Sequence, residues 1–432
     1  MSDFLRLLRD NRNYRYTWVS QVVSEIGDHF NNIAVFSLAM DRTRSGLVVT
    51  GVMLSRAIPI LLAGPIAGIL LDRLDRKTIM IASDLARALV AVGFLLTLNY
   101  PSNWLLYLLS ALLMFASPFF TAGRSAILPS IASRDELHTA NSLTQMTQWI
   151  TLTLGTLAAG SAVALFGYPW AFVLNSLSFL FSGWAVSRLR AGGASGFRAR
   201  KMSLTESDVA RPWHEYREGL SYMLSSPLIL GIALVGVGWA TGGGAAQILF
   251  SLFGEAVFDR GAAGIGTIWG FAGIGLVLGA TLAHRLGSRI SFRAYKRTIS
   301  LCYIVHGGSY ILFARSPTFG GALFFIALSR AAVAVSSVLN VSQLLRHVPD
   351  EYRGRVFATN ETMTWATMML SMVAAGVASQ HHDPRVLGTW AGAASATTAL
   401  FWAWANLTGR LPEPGREGVE PDEVEVHGRV RA

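Results

Sequence analysis

Charges in this chain come in bunches, and the stretches between them are apolar for roughly 18 to 25 residues at a time, repeatedly from one end to the other. A run of that length, coiled as an α-helix, crosses about 30 Å of hydrocarbon. In lipid no water is available to the backbone, so a helix that bonds its own N–H and C=O groups is the structure such a run must adopt. Only 14% of the residues are charged and 52% are hydrophobic, whereas a soluble chain carries about a quarter charged residues. The 42 glycines agree, because small residues let membrane helices approach closely. The expected fold is an all-α polytopic membrane protein.

Twelve spans are expected, near 16–40, 47–71, 78–98, 104–124, 142–166, 170–188, 228–253, 262–284, 297–314, 320–344, 357–380 and 386–408. Pro101, Gly167-Tyr-Pro169, Pro317 and Pro384 punctuate them. Loops on one side carry most of the lysine and arginine. Those on the other hold Arg42, Arg44, Arg260, Arg315 and Arg385 and no others. By the positive-inside rule both termini face the cytoplasm, and the expected location is the bacterial inner membrane. The formal charge of +10 is therefore spread over alternate loops rather than gathered on one face that would suit nucleic acid. Cys302 stands alone in an apolar segment, so no disulfide or cysteine metal cluster is expected.

Residues 1–15 form a basic amphipathic lead-in, with Arg6, Arg9, Arg12 and Arg15 at helical spacing for anionic headgroups. The following segment is too long and too polar to be a cleaved signal peptide. Residues 16–188 and 227–409 each hold six spans. Between them, 189–226 is a cytoplasmic linker that opens on AGGASG and closes on a short surface helix around Trp213–Leu224. Residues 410–432 form a tail rich in Pro, Glu and Val, expected to be disordered. The halves resemble each other. The loop Pro129–Asn141 between spans four and five matches Pro349–Asn360 between ten and eleven, and GILLDRLDRK is echoed by ATLAHRLGSR. Two six-helix bundles related by pseudo-twofold symmetry are expected, with a cavity between them.

Ionisable residues within spans each need a partner or a task. Glu25, Asp28, His29 and Asn32 project into one sector of span one, and Arg56 lies near mid-depth in span two. Two readings stay open: Asp28 and Glu25 exchange a proton with Arg56 as modulator, or Asp28 and Arg56 form a fixed ion pair. Asp84 and Arg87, three residues apart, read as a supporting ion pair. Arg330, Asn340 and Gln343 share span ten, where Arg330 meets either an anionic substrate group or a neighbouring helix. Asp350, Glu351, Arg353, Arg355 and Glu361 belong to the loop before span eleven and the entrance of that span. His29 has no second His or Cys at ligand spacing, so no metal is expected. Trp149, Trp239, Trp269 and Trp365 fall near span interiors, with packing against lipid as the default for most of them. Gly242-Gly-Gly244 marks an expected bend in span seven.

Gly68-Ile-Leu-Leu-Asp72-Arg73-Leu-Asp75-Arg76-Lys77 resembles the G-x-L-x-D-R-x-G-R-K loop signature of the major facilitator superfamily, with Asp75 in place of the second glycine. Further stretches resemble the branch of macrolide efflux proteins and the enterobactin exporter: Ser24-Glu-Ile-Gly-Asp28, Ser83-Asp-Leu-Ala-Arg-Ala88, Gly123-Arg-Ser-Ala-Ile-Leu-Pro129, Ala140-Asn-Ser142 and Pro349-Asp-Glu-Tyr-Arg-Gly-Arg-Val356. The resemblance implies a secondary transporter, not an enzyme, in which Gly68, Asp72, Arg73, Arg76 and Lys77 gate the cavity by packing against the other half. It implies proton-coupled efflux of a hydrophobic small molecule (a drug, macrolide or siderophore) by alternating access. Two frequent marks of proton-coupled exporters are absent: span five reads Gly155-Thr-Leu-Ala-Ala-Gly160 without a Gly-Pro pair, and mid-span four reads Ala111-Leu-Leu-Met114 without an arginine. No G-x-x-x-x-G-K-[ST] motif occurs, so ATP is not an expected partner and the proton gradient is the energy source, with no cofactor. The expected partners are the substrate and membrane lipids, and the protein is expected to act as a monomer. Rival readings are a lysophospholipid translocator and, in another class, a non-transporting membrane sensor or enzyme.

Overall fold

The structure is a computed structural model that describes residues 2–100, 102–190, 197, 207–287 and 290–413. All regular elements among the described residues are helices. The first group is α1 (Ser2–Asp10), α2 (Arg12–Thr43), α3 (Gly46–Arg73), α4 (Arg76–Gly93), its one-turn continuation α5 (Leu96–Asn99), α6 (Asn103–Ile131), α7 (Arg134–Phe166) and α8 (Tyr168–Ser187). After α9 (Ser207–Ser225) come α10 (Pro227–Leu252), which ends in a π-helical turn Phe253–Val257, α11 (Gly261–Gly287), α12 (Phe292–Arg315), α13 (Phe319–His347), α14 (Asp350–Ala378) and α15 (Pro384–Leu407). The glycine-rich part of the linker, the Trp213 side chain and the tail beyond 413 lie outside the described residues.

Each expected span coincides with a helix. Eight helical stretches are long and apolar enough to cross a membrane by length and composition: α3, α4 with α5, α6, α7, α8, α10 with its π turn, α11 and α13. The remaining four, α2, α12, α14 and α15, are more polar. In α2 the reason is visible, since Gln21, Ser24, Gly27 and Asn31 are buried inside the protein rather than presented to lipid.

Local chemistry sets the helix ends. Asn11 separates the lead-in helix from α2 by accepting from Tyr14 N at 2.9 Å, an N-cap that starts α2 four residues before the expected span. Asp75, the departure from the glycine of the loop signature, caps α4 by accepting from Thr78 N at 3.1 Å. Ser133 and Glu136 form a reciprocal capping box at the start of α7. Consequently the segment Pro129–Asn141, expected as a loop, is almost wholly helical, and 349–360 is likewise taken up by α14. Gly167, at φ +82, makes the turn between α7 and α8 in a conformation that L side chains rarely adopt.

The helices pack in two sets with the same pairing pattern. In the first, α2 packs on α7 and α8, α3 on α6, and α4 on α6 and α8. In the second, α10 packs on α14 and α15, α11 on α13, and α12 on α13 and α15. The sets meet where α7 lies along α11 and where α3 touches α14. Gly242 and Gly244 lie within α10, which is helical without a break to Leu252. They let its backbone lie against the Ala391 carbonyl of α15 on one side and the Met368 carbonyl of α14 on the other.

Candidate functional site

A cavity of about 700 Å³ lies where the two sets meet. Its walls come from α7 (Trp149, Leu152), α10 (Trp239, Phe250), α11 (Trp269), α13 (Arg330, Asn340) and α14 (Asn360, Glu361, Trp365). All four interior tryptophans therefore face the cavity, which corrects the default of lipid-facing packing. Span depth can be read from a sequence, whereas the direction a ring points depends on how the helix is rotated in the bundle.

Among the described residues, the closest backbone approaches between the two sets lie at one end. Where α7 ends and α11 begins, a Cβ on Gly160 would stand 2.8 Å from the Ala262 carbonyl oxygen and 2.9 Å from Gly266 Cα. At the same end Gly376 of α14 lies against Thr50 of α3, and Gly46 against Ser379. At the opposite end, where α3 passes into α4, nothing lies within 4 Å of a Cβ on Gly68, and Asp72 and Arg73 are exposed. The expected close packing at Gly68 is thus absent in this conformation. Arg76 and Lys77 hold their own half together, donating to the Ala126 carbonyl at 2.6 Å and the Leu189 carbonyl at 2.9 Å. These carbonyls lie at or near the C-terminal ends of α6 and α8, where cations are favoured.

The α2 residues separate into two environments. Glu25 accepts from Gln21 Nε2 at 2.8 Å and from Thr151 Oγ1 at 2.7 Å, and lies 3.7 Å from the Arg124 guanidinium. Arg124 stands at the expected end of span four and is a site residue that apolarity alone does not reveal. Since α6 runs on to Ile131, Arg124 is in fact two turns inside the helix and buried. Two turns along α2, Arg56 donates to Asn32 rather than to Asp28, and its guanidinium lies 5.8 Å over the Phe36 ring. No Asp28–Arg56 ion pair forms. Asp28 Oδ1 and Arg56 Nη1 are both buried and lack hydrogen-bond partners among the described residues. His29 sits against Gly155 of α7, with its Cδ2 2.7 Å from the position of a Cβ there.

Asp84 and Arg87 form a buried ion pair on α4. Ser182 of α8 donates to the second carboxylate oxygen at 2.7 Å. The Arg87 guanidinium lies between Phe120, at 4.6 Å, and Phe179, at 4.3 Å. This pair ties α4 to α6 and α8 and does not touch Asp72. Among the helices of the first set, the carboxylates of Glu25, Asp28 and Asp84 accompany the guanidinium groups of Arg56, Arg87 and Arg124.

The second set differs. Arg330 is only 7% exposed, lines the cavity and lies 5.2 Å over the Phe250 ring. It makes no ion pair among the described residues. Asn340 accepts from Tyr295 Oη at 2.8 Å, and Gln343 bonds His347 at 3.2 Å, so both are held by their own helices or neighbours. Asp350 pairs with Arg353 at 2.6 Å, which also donates to the Leu345 carbonyl, clasping the α13–α14 turn. Arg355 reaches Glu218 of α9 at 2.9 Å. Glu351 is exposed, and Glu361 is exposed at the cavity wall.

A helical bundle whose two sets enclose an aromatic-walled cavity open at one end has the build of a membrane transporter. The Major Facilitator Superfamily profile matches residues 17–367, and the chain belongs to that family. It is similar to the uncharacterized MFS-type transporter YfiS of Bacillus subtilis, 26% identical with 87% of this chain and 88% of the relative covered. It is also similar to the enterobactin exporter EntS of Salmonella typhimurium, 24% identical over 67% of each chain. Among solved structures, a bacterial homologue of the iron transporter ferroportin in an inward-facing state shares the fold at TM-score 0.66 and 16% identity, covering 92% of this chain and 98% of that one. A POT family transporter in complex with 5-aminolevulinic acid does so at TM-score 0.71 and 9% identity, covering 92% and 96%. The chain is a multi-pass membrane transporter rather than an enzyme.

Proposed function

We propose that this protein exports a hydrophobic small molecule by alternating access, driven by the proton gradient. The carrying observation is the cavity between two helix sets that touch at one end and part at the other. In this reading all twelve helices span the inner membrane as two six-helix bundles, and the repeated pairing pattern supports a pseudo-twofold relation between them. The basic loops put both termini, and hence the open end, in the cytoplasm. The exporter named among the relatives supports the direction of transport.

Asp28 is our proton carrier. Its Oδ1 is buried and uncommitted, whereas Glu25 and Asp84 are each held by two or more partners. Closing the open end brings Gly68, Asp72 and Arg73 onto the other half, which explains why they stand free of it here. Asp28→Asn in inverted membrane vesicles tests the assignment. The expected result is loss of proton-coupled efflux, with the melting temperature retained. Unchanged coupling removes Asp28 from the mechanism.

A further inference from the structure

The charge asymmetry between the two helix sets says what kind of cargo the cavity takes. In the first set Arg87 pairs with Asp84, Arg124 lies 3.7 Å from Glu25, and Arg56 donates to Asn32 with the Asp28 carboxylate one turn away along the same helix. Arg330 stands in the second set without a carboxylate partner among the described residues. An arginine is not deprotonated in a protein, so burial does not silence this charge. The face of Phe250 lies beside it, a weak substitute for an anion. His306, Ser329 and Tyr310 do not neutralise it. His306 Nδ1 is engaged with Ser329 Oγ at 2.8 Å, and the Tyr310 hydroxyl is buried without a partner.

The surrounding polar atoms carry the same message. The indole N–H groups of Trp239 and Trp269 are buried without acceptors among the described residues, and indole nitrogen can only donate. Trp269 stands edge-on to Phe250 at 5.0 Å, so Arg330, Phe250 and Trp269 are contiguous. The cavity therefore offers a fixed cation and two unmet donors between aromatic walls, the Trp269 donor standing on the ring that adjoins Arg330. The shallower end reverses the sign, with the Asn360 Oδ1 acceptor unpartnered and Glu361 exposed. Arg330 lies 17 residues from the end of α13 and Asn360 lies 10 from the start of α14, both counted from the same end of the bundle. At about 1.5 Å per residue, the two poles are separated by on the order of 10 Å.

We propose that the cargo is an amphipathic organic anion: a ring-bearing apolar body with a carboxylate that binds Arg330, and any hydrogen-bond donor at the far end directed to Asn360. The claim rests on the transport reading above and names its substrate class. Metal cations and cationic drugs are disfavoured by the same unpaired guanidinium.

The test uses the purified full-length protein and three probes of one shape: 2-naphthoate, 2-naphthalenemethanol and 2-naphthylmethylammonium. Binding is read by tryptophan fluorescence and by the shift in melting temperature. Naphthoate is expected to bind at least tenfold more tightly than the alcohol, with the ammonium weakest. Arg330→Gln is expected to remove the preference for naphthoate while leaving the alcohol within about threefold of the parent, and Arg330→Lys to restore part of it. Should the glutamine variant fail to fold, the parent's three-probe series and the lysine variant still decide. Equal affinity across the series, preference for the ammonium, or no naphthoate binding at millimolar concentration overturns the inference. Proteoliposome uptake separates the two claims. Movement of the neutral alcohol without anion preference sinks the substrate class and leaves transport standing. Tight naphthoate binding with none of the three probes moved sinks transport and leaves the site.

Discussion

The Glu25 carboxylate lies 3.7 Å from the Arg124 guanidinium, joining α2 to α6, and the same carboxylate is bonded by Thr151 of α7. Three helices of one set are thus pinned through a single carboxylate that is 21% exposed, at the edge of the interior rather than deep within it. Breaking a fully buried pair from one side costs about 3–5 kcal/mol. This partly open one is expected to cost roughly 1–3 kcal/mol for Arg124→Gln, with Glu25→Gln milder because Gln21 and Thr151 can still bond an amide. A double-mutant cycle by thermal unfolding in detergent checks this. Additive single effects would mean that the two groups do not interact.

The Asp84–Arg87 pair is enclosed on every side, so Asp84→Asn leaves an uncompensated guanidinium between Phe120 and Phe179. Its cost is expected to exceed that of any Glu25 variant, about 3–5 kcal/mol. Arg87→Lys is expected to lose stability too, because a lysine cannot lie flat between two rings while holding a carboxylate. Melting curves of the two variants rank these effects, and a mild Asp84→Asn phenotype would contradict them.

Gly266 and Gly68 are expected to behave oppositely when changed to alanine. A Cβ on Gly266 meets the Thr156 carbonyl oxygen at 2.5 Å and Gly160 Cα at 2.6 Å, so overpacking is expected to cost about 1–3 kcal/mol. A Cβ on Gly68 meets nothing, and alanine improves helix propensity there by up to about 1 kcal/mol. The melting temperature should therefore fall for Gly266→Ala and hold or rise for Gly68→Ala. If Gly68 is buried when the open end closes, the second variant should nevertheless transport slowly.

Helix α9 is held to α14 by two unlike contacts. The Glu218–Arg355 bridge is about one-third exposed on both sides, and its removal by Glu218→Gln is expected to cost under about 1 kcal/mol, less still in high salt. Gly219 is different, because a Cβ there would stand 2.6 Å from the Arg355 carbonyl. Gly219→Val is expected to detach α9 and expose it to limited proteolysis, whereas Glu218→Gln should not.

Much of this could be read from the residues alone. Helix positions follow from apolar runs and the proline and glycine turns between them, the Asp84–Arg87 pair from its three-residue spacing, and the helix closing the linker from the face shared by Trp213, Tyr216, Leu220 and Met223. Partner choice could not be read in the same way. Asp28 and Asn32 are one helical turn apart, and span edges inferred from hydropathy are uncertain by about that much, so depth along the helix does not tell the expected partner Asp28 from the observed partner Asn32. Arg124 was misplaced for a related cause: apolarity ends before the helix does, since α6 continues into a capped hairpin. The four cavity tryptophans and the Gly242–Gly244 seam depend on helix rotation and on which neighbour lies opposite, and neither is encoded locally.

Where Gly160 meets Gly266, the polypeptide backbones of α7 and α11 touch with almost no side chain between them. A joint of that kind has no interlocking teeth: one helix can roll on the other without any rotamer having to flip and without trapping a void. If the two helix sets turn on each other as proposed, sequence drift in the aromatic lining retunes which molecules are carried and leaves this bearing untouched.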